Sequence, residues 1–429
     1  MTQTKYLIIG NSIAGINCIE AIREVDKKGK VVVISEEEIL NYSRPLISYY
    51  LGGKIPKEKM SFRDEEFYRE NKVKVLLNTK ADKLDIKKKE THFNHQKIKF
   101  EKLLIATGGK PIIPPIENLE KIKEGIFTFT NFSSTQKLID YIEKNKIKEA
   151  VVLGAGLIGL KCTEGLVERK VKVTLVELAD KILANTFDKE ASQILENALS
   201  KLGCKVIKED TIVRVEGVRR LTKVILRSER ELPTQLLIIA VGVRPNLDLI
   251  KDTPISFERG IIVNDCMQTN VKDIYAAGDV AQGKDFLMQK NSVIAIWPIA
   301  ARQGKIAGFN MAGKKVSYEG LFIMNSVELV EIPTISFGIT NPSNEKDYEI
   351  LIKKDKENNF YRKIVLRDNR ILGAIFLGKI ERAGIFLGLI KDKIDVSSFK
   401  EDLLSDEFGF LILPAEYRKH LVKGEGIEV

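Results

Sequence analysis

Short apolar runs alternate with stretches of helical period along most of the chain. Tyr6-Leu7-Ile8-Ile9 is continuously apolar, so it predicts a strand buried on both faces. A glycine turn and a helical stretch follow it, and then a second apolar run, Val31-Val32-Val33-Ile34. The same order recurs at Ala150-Val151-Val152-Leu153 and Val171-Lys172-Val173-Thr174-Leu175-Val176. Each set is followed by an apolar run closing on glycine, Leu103-Leu104-Ile105-Ala106-Thr107-Gly108 and Leu236-Leu237-Ile238-Ile239-Ala240-Val241-Gly242. Alternating β and α signals predict an α/β fold of two Rossmann-like parallel sheets with helices on both faces.

The runs also predict how the pieces assemble. Lysine-rich stretches at 80–100 and 205–235 read as antiparallel hairpins added to the two cores, and Lys110-Pro111 and Arg244-Pro245 as crossing segments. A third apolar run, Ile274-Tyr275-Ala276-Ala277-Gly278-Asp279, must join the first sheet, because the second already has its closing strand. The first domain is therefore expected to be discontinuous, 1–112 with 244–320, and the second, 113–243, inserted in it. Trp297-Pro298 opens a further helical stretch; proline at such a position presets φ. From about 321 the alternation becomes that of an antiparallel sheet with helices, so 321–429 is expected as an α+β domain suited to contacts between subunits.

The turns carry the candidate chemistry. Gly10-Asn11-Ser12-Ile13-Ala14-Gly15 and Gly154-Ala155-Gly156-Leu157-Ile158-Gly159 each join a strand to a helix. The first glycine permits the tight turn, the middle small residue lets the backbone approach a pyrophosphate, and the last packs helix against strand. A helix N-terminus supplies free N–H groups to the anion. The following strands end near Glu36 and at Glu177, where a carboxylate takes ribose hydroxyls. Two copies in one chain predict two bound dinucleotides.

Composition narrows the rest. At 429 residues with 44% hydrophobic and 30% charged residues, the chain is too long for one ordinary core and has a globular balance. No apolar run approaches the length of a membrane helix and no signal peptide is evident, so a cytoplasmic protein is expected. Cys18, Cys162, Cys204 and Cys266 form no paired motif, which argues against a dithiol centre or a metal site; they read as buried apolar residues. His92, His95 and His420 lack a ligand constellation. The net charge of +10 comes from dispersed lysine, without the concentrated patch that nucleic acid favours; it fits either a solvated lysine-rich surface or an acidic protein partner.

The two fingerprints, Ala106-Thr107-Gly108 and Tyr275-Ala276-Ala277-Gly278-Asp279 make residues 1 to 410 resemble the pyridine nucleotide-disulfide oxidoreductase class of flavoproteins. Tyr42-Ser43-Arg44-Pro45-Leu46, Arg370-Ile371-Leu372-Gly373-Ala374-Ile375 and Ile380-Glu381-Arg382-Ala383-Gly384 are most similar to NADH:rubredoxin reductases and the flavin module of assimilatory nitrite reductases. The resemblance implies FAD on the first domain, held by Gly10, Ser12, Ala14 and Gly15, with Glu36 on its ribose and the Ala81 backbone on its adenine. Arg44, Pro45, Ala106, Thr107, Gly108, Gly278 and Asp279 would lie along FAD, and the helix opened by Trp297 would face the flavin. It implies a nicotinamide dinucleotide at Gly154, Gly156, Leu157, Ile158, Gly159 and Gly242. Glu177 favours NAD(H) over NADP(H), because a carboxylate repels a 2′-phosphate; nearby Lys181 argues the other way.

Departures are informative. Coenzyme A disulfide reductases and water-forming NADH oxidases of the class place a reactive cysteine where Pro45 stands, and proline forms no thiolate. Relatives that feed small ferredoxins place a lysine near Tyr49 and a glutamate at Lys161; here both positions differ, which singles out Lys161 and Tyr49 as candidate catalytic residues, against a reading of Lys161 as a surface lysine. The expected activity is hydride transfer from NADH to FAD, then electron transfer to an external acceptor such as a rubredoxin-like carrier. Alternatives are an NADH oxidase or quinone reductase, a flavin subunit of a larger dehydrogenase, or a redox-responsive FAD- and NADH-binding protein; a homodimer or a complex subunit is expected as the assembly.

Overall fold

The computed structural model describes residues 2–355, 357–409, 412–414 and 417; His420 lies outside them. The chain forms two compact units. The first comprises the described residues up to Val176 with Asp210–Phe322. Its larger sheet contains β1 (Thr2–Ile9), β2 (Val31–Ile34), β3 (Val73–Leu76), β4 (Lys83–Asp85), β5 (Glu90–Phe93) and β6 (Gln96–Ile105) in the order β3-β2-β1-β6-β5-β4. Ile274–Ala276 pairs in parallel with β6, as the third apolar run requires. β1, β2, β3 and β6 are parallel, whereas β4 and β5 form the antiparallel addition expected of the lysine-rich stretch.

The first unit also contains the helices α1 (Ile13–Val25), α2 (Ile47–Leu51), α3 (Glu65–Glu70), α4 (Phe132–Asn145) and α5 (Leu157–Glu168). α1 lies against the helix Trp297–Met311 at a separation only glycine allows. A Cβ added at Gly304 would stand 2.1 Å from the Ala14 carbonyl oxygen, and one at Gly308 2.5 Å from that of Cys18.

A two-stranded ribbon crosses between the sheets: β7 (Gly109–Pro111) runs antiparallel to Val243–Pro245, with Lys110 opposite Arg244. The second sheet joins β8 (Ile126–Thr128), β9 (Glu149–Leu153) and β10 (Lys172–Val176) through Leu237–Ile239, all parallel. Its antiparallel addition is Ile212–Glu216, Lys223–Leu226 and Glu231–Pro233; Lys205–Ile207, at the start of the lysine-rich stretch, is not part of it.

The second unit takes Glu177–Glu209 with the described residues from Ile323 onward. Its five-stranded antiparallel sheet has the order Met324–Leu329, Ile332–Gly338, Arg370–Leu377, Phe360–Arg367, Glu349–Asp355. Within Glu177–Glu209, Lys205–Ile207 pairs with β10 of the second sheet, while other groups of the same segment bond to residues in and beside the antiparallel sheet. Asn341 Nδ2 donates to the Phe187 carbonyl at 2.9 Å, Lys354 pairs with Glu190 at 3.2 Å, and Asp188 makes three further bonds. Asp188 caps the helix Lys189–Lys201 by accepting from Ala191 N at 3.0 Å. Its carboxylate also accepts from Tyr361 Oη at 2.6 Å and pairs with Lys363 Nζ at 3.0 Å. Lys363 is only 3% exposed, and a buried ammonium without that partner would be strongly destabilising.

Candidate functional site

Strand register brings the candidate residues to two edges. Ile9 lies opposite Ile34 and Ile105, and Ile105 opposite Ala276, so the segments after β1, β2, β6 and Ile274–Ala276 leave the first sheet at one level. Gly10, Glu36, Ala106–Gly108 and Gly278–Asp279 lie in those four segments. Leu153 lies opposite Val176 and Ile239 in the second sheet, so the Gly154 turn and Ala240–Gly242 leave it together, and Glu177 follows β10 directly. Ligands of open α/β sheets bind beyond the carboxyl ends of the strands.

Both turns are built by glycine contacts. Gly10 adopts φ +117°, and a Cβ there would meet the Ala106 carbonyl oxygen at 2.1 Å; one at Gly15 would meet the Gly10 oxygen at 2.1 Å. Gly154 adopts φ +102°, and a Cβ at Gly159 would meet the Gly154 oxygen at 1.9 Å. Neither helix is capped by a side chain at its start, where Ser12 and Gly156 occupy the N-cap positions. The first N–H groups of a helix have no intrahelical acceptor, so two positive dipole ends face the edges of the sheets. A Cβ at Gly156 or Gly108 would meet nothing within 4 Å, which leaves open space over the backbone at both points. This donor set suits phosphate groups.

A charged cluster lines the first edge. Glu37 Oε1 accepts from Tyr42 Oη at 2.9 Å and Arg44 Nη2 at 3.2 Å, while Glu37 Oε2 is buried without a partner among the described residues. Arg44 Nη1 donates to the Thr130 carbonyl at 2.6 Å. Burial acts to lower the Arg44 guanidinium, but the Tyr42, Glu37 and Asp279 charges leave it raised. Desolvation lifts the Asp279 carboxyl above the usual carboxylate range, with Arg44 acting against it. Gln303 of the helix Trp297–Met311 accepts the Gly278 N–H at 2.9 Å, fixing the turn before Asp279. Trp297 and Pro298 open that helix, and Pro45 is exposed at the start of a short helical turn before α2.

Other residues fall differently. Glu36 is 64% exposed, with Lys80 Nζ at 3.7 Å, and so stays accessible to a ligand, whereas its neighbour Glu37 turns inward. Nothing in a Glu-Glu-Glu run signals which side chain does so. Ala81 is partly buried against the first core. Glu177 accepts the Ala179 N–H at 2.9 Å, and Lys181 lies 3.6 Å from Asp180. Cys18 and Cys162 are buried, and burial pushes both thiols far up; Cys204 is raised to about 11 by the same cause.

Lys161 is not a surface lysine. It lies one turn into α5, its side chain is 17% exposed, it pairs with Glu164, and its ammonium stands 5.0 Å from the centroid of the Tyr49 ring on α2. The two candidate catalytic residues are thus in contact. Sequence reasoning left Glu164 unnoticed, although its i,i+3 spacing from Lys161 was visible.

Two sheets whose parallel strands run into uncapped glycine turns form the architecture of a dinucleotide-binding protein. Residues 4–304 match the pyridine nucleotide-disulphide oxidoreductase family, and 324–394 match the rubredoxin NAD+ reductase C-terminal domain. The chain belongs to the pyridine nucleotide-disulphide oxidoreductase family and is an oxidoreductase. It is 30% identical over 408 residues to the NADH-dependent phenylglyoxylate dehydrogenase subunit epsilon of Aromatoleum evansii, covering 94% of this chain and 95% of that one. It is 29% identical to the NADH-rubredoxin oxidoreductase of Clostridium acetobutylicum over 383 residues, 89% of this chain and 92% of that one. The crystal structure of NADH:rubredoxin oxidoreductase from that organism is 26% identical with a TM-score of 0.75, covering 93% of this chain and 98% of that one. No helix among the described residues is long and apolar enough to cross a membrane.

Proposed function

We propose that the chain holds FAD on the first sheet and binds NADH transiently on the second, and that it delivers electrons to an external protein carrier of the rubredoxin type. The observation that carries this reading is the pair of uncapped glycine turns, one walled by Glu37, Arg44 and Asp279 and the other open at Gly156. When bound, FAD would supply the redox chemistry, accepting hydride from NADH and releasing electrons to the carrier.

The chain's own residues bind and align. The N–H groups at the start of α1 would meet the FAD pyrophosphate beside Gly10, Ser12, Ala14 and Gly15, and Glu36 would take its ribose. Ala81, Arg44, Pro45, Ala106, Thr107, Gly108, Gly278 and Asp279 complete the assigned socket, and the positive end of the helix opened by Trp297 would favour negative charge on the bound ring system. Gly154, Gly156, Leu157, Ile158, Gly159 and Gly242 would hold the NADH pyrophosphate, and Glu177 its ribose 2′-hydroxyl. Lys161, held by Glu164 and the Tyr49 ring, places a cation where α2 meets α5, and orients the nicotinamide in this reading. No side chain needs to donate or remove a proton for hydride transfer.

The subunit epsilon relative supports a second reading, in which the same electrons pass to another subunit of a larger dehydrogenase. Anaerobic reduction with NADH, then mixing with rubredoxin, quinone or air, tests the carrier assignment. Reoxidation fastest with rubredoxin is expected; faster reoxidation by air contradicts it.

A further inference from the structure

Asn11 lies inside the first glycine turn, where the turn itself requires no amide, yet its side chain is buried and doubly bonded. Its Nδ2 donates to the Leu40 carbonyl, and its Oδ1 accepts from Tyr68 Oη at 3.1 Å. The same hydroxyl accepts from Asn41 Nδ2 at 3.1 Å. Asn41 Oδ1 accepts the N–H groups of Phe62 at 3.1 Å and Arg63 at 3.0 Å, and Nδ2 donates to the Arg63 carbonyl at 2.6 Å. Phe62 packs edge-on against Trp297, with ring centroids 5.5 Å apart.

A tyrosine hydroxyl has one proton. Spent on Asn11, it leaves Tyr68 able only to accept from Asn41, which fixes the Asn41 amide with its oxygen toward the Phe62 and Arg63 N–H groups. The chain of bonds therefore has a single orientation from the phosphate turn to the segment carrying Phe62.

We propose that Asn11, Tyr68 and Asn41 are positioning residues that couple the first phosphate turn to the seat of Phe62 on Trp297. The coupling to flavin rests on the FAD assignment above; the seating of Phe62 does not. Loss of the relay frees Phe62, opens the Trp297 side of the socket to water, and weakens flavin retention without removing any residue assigned to contact it in the proposed socket.

Trp297 is the only tryptophan of the chain, so its fluorescence reads this seat directly, even in flavin-free protein. Tyr68→Phe removes only the hydroxyl. The expected results are acrylamide quenching of Trp297 raised about twofold and an FAD dissociation constant raised about tenfold, the usual scale for one buried hydrogen-bonded link. Asn11→Ala should act in the same direction and carries the test alone if Tyr68→Phe does not fold. The double variant should be no worse than Asn11→Ala alone, because the Tyr68 hydroxyl acts through Asn11. Tyr141→Phe, outside the relay, should change neither readout. Unchanged Trp297 quenching in Tyr68→Phe, or additive effects in the double variant, would overturn the proposal. Raised quenching in protein that binds no FAD even with Tyr68 intact would uphold the relay and overturn the FAD assignment instead.

Discussion

The two glycine turns share one backbone solution and differ in their surroundings. At the first, Asn11 is buried in an amide and hydroxyl relay, Gly304 brings a second helix against Ala14, and Glu37 and Arg44 form a half-buried ion pair. At the second, the residue matching Asn11 is the buried Ala155, which has no side-chain amide to enter such a relay. The next, Gly156, is exposed with nothing within 4 Å of its would-be Cβ, as at Gly108 beside the first turn. A walled socket suits a ligand that stays, because each preformed contact lowers the ordering cost of binding. An open one suits a ligand that exchanges at every turnover. In the proposed reading, the walled first turn holds the resident cofactor and the second the passing one.

The largest effects should come from breaking each turn separately. Gly10→Ala forces a side chain into φ +117° and against the Ala106 oxygen, so flavin-free protein is expected, with a melting temperature lower by roughly 10 °C. Gly154→Ala meets the Ala240 oxygen at 2.6 Å and should leave flavin content intact while raising the KM for NADH about 100-fold or more. Loss of flavin from Gly154→Ala, measured by absorbance per protein, would contradict two separate sockets.

Next in size is Glu177→Ala, expected to raise the KM for NADH about tenfold with flavin unaltered; an unchanged KM removes Glu177 from the ribose. Lys161→Met should slow flavin reduction at saturating NADH by about tenfold. A stopped-flow rate equal to that of the parent protein would make the Lys161–Glu164 pair structural only.

The smallest effect concerns Asp279. Its folded pKa is raised, so ionisation destabilises the flavin-free fold once pH exceeds the unfolded value, and the penalty is complete above the folded one. Asp279→Asn should therefore raise the flavin-free melting temperature near neutrality, and the gain should disappear as pH falls through the carboxylate range. A gain independent of pH would show that Asp279 is not desolvated there.

Much of the fold was legible in the sequence because burial on both faces leaves continuous apolar strands, and the spare run at Ile274–Ala276 had only one sheet to join. The glycine turns were equally readable, since sterics reserve Gly10 and Gly154 for residues without a side chain. The ties of Glu177–Glu209 to the antiparallel sheet were not, because they run through side chains such as Lys363, a lysine in a strand pattern that gives no sign of meeting Asp188. Nor was the relay through Asn11, Tyr68 and Asn41, whose members look like ordinary polar residues until the chain brings them together.

In the proposed cycle the first socket keeps its ligand while the second exchanges one. Anaerobic titration of the gel-filtered protein with NADH, following the visible flavin band, tests it most directly. Flavin should be retained through the column and bleached by one equivalent of NADH per chain. Protein that emerges colourless after incubation with FAD, or a flavin band that NADH leaves unchanged, would contradict it.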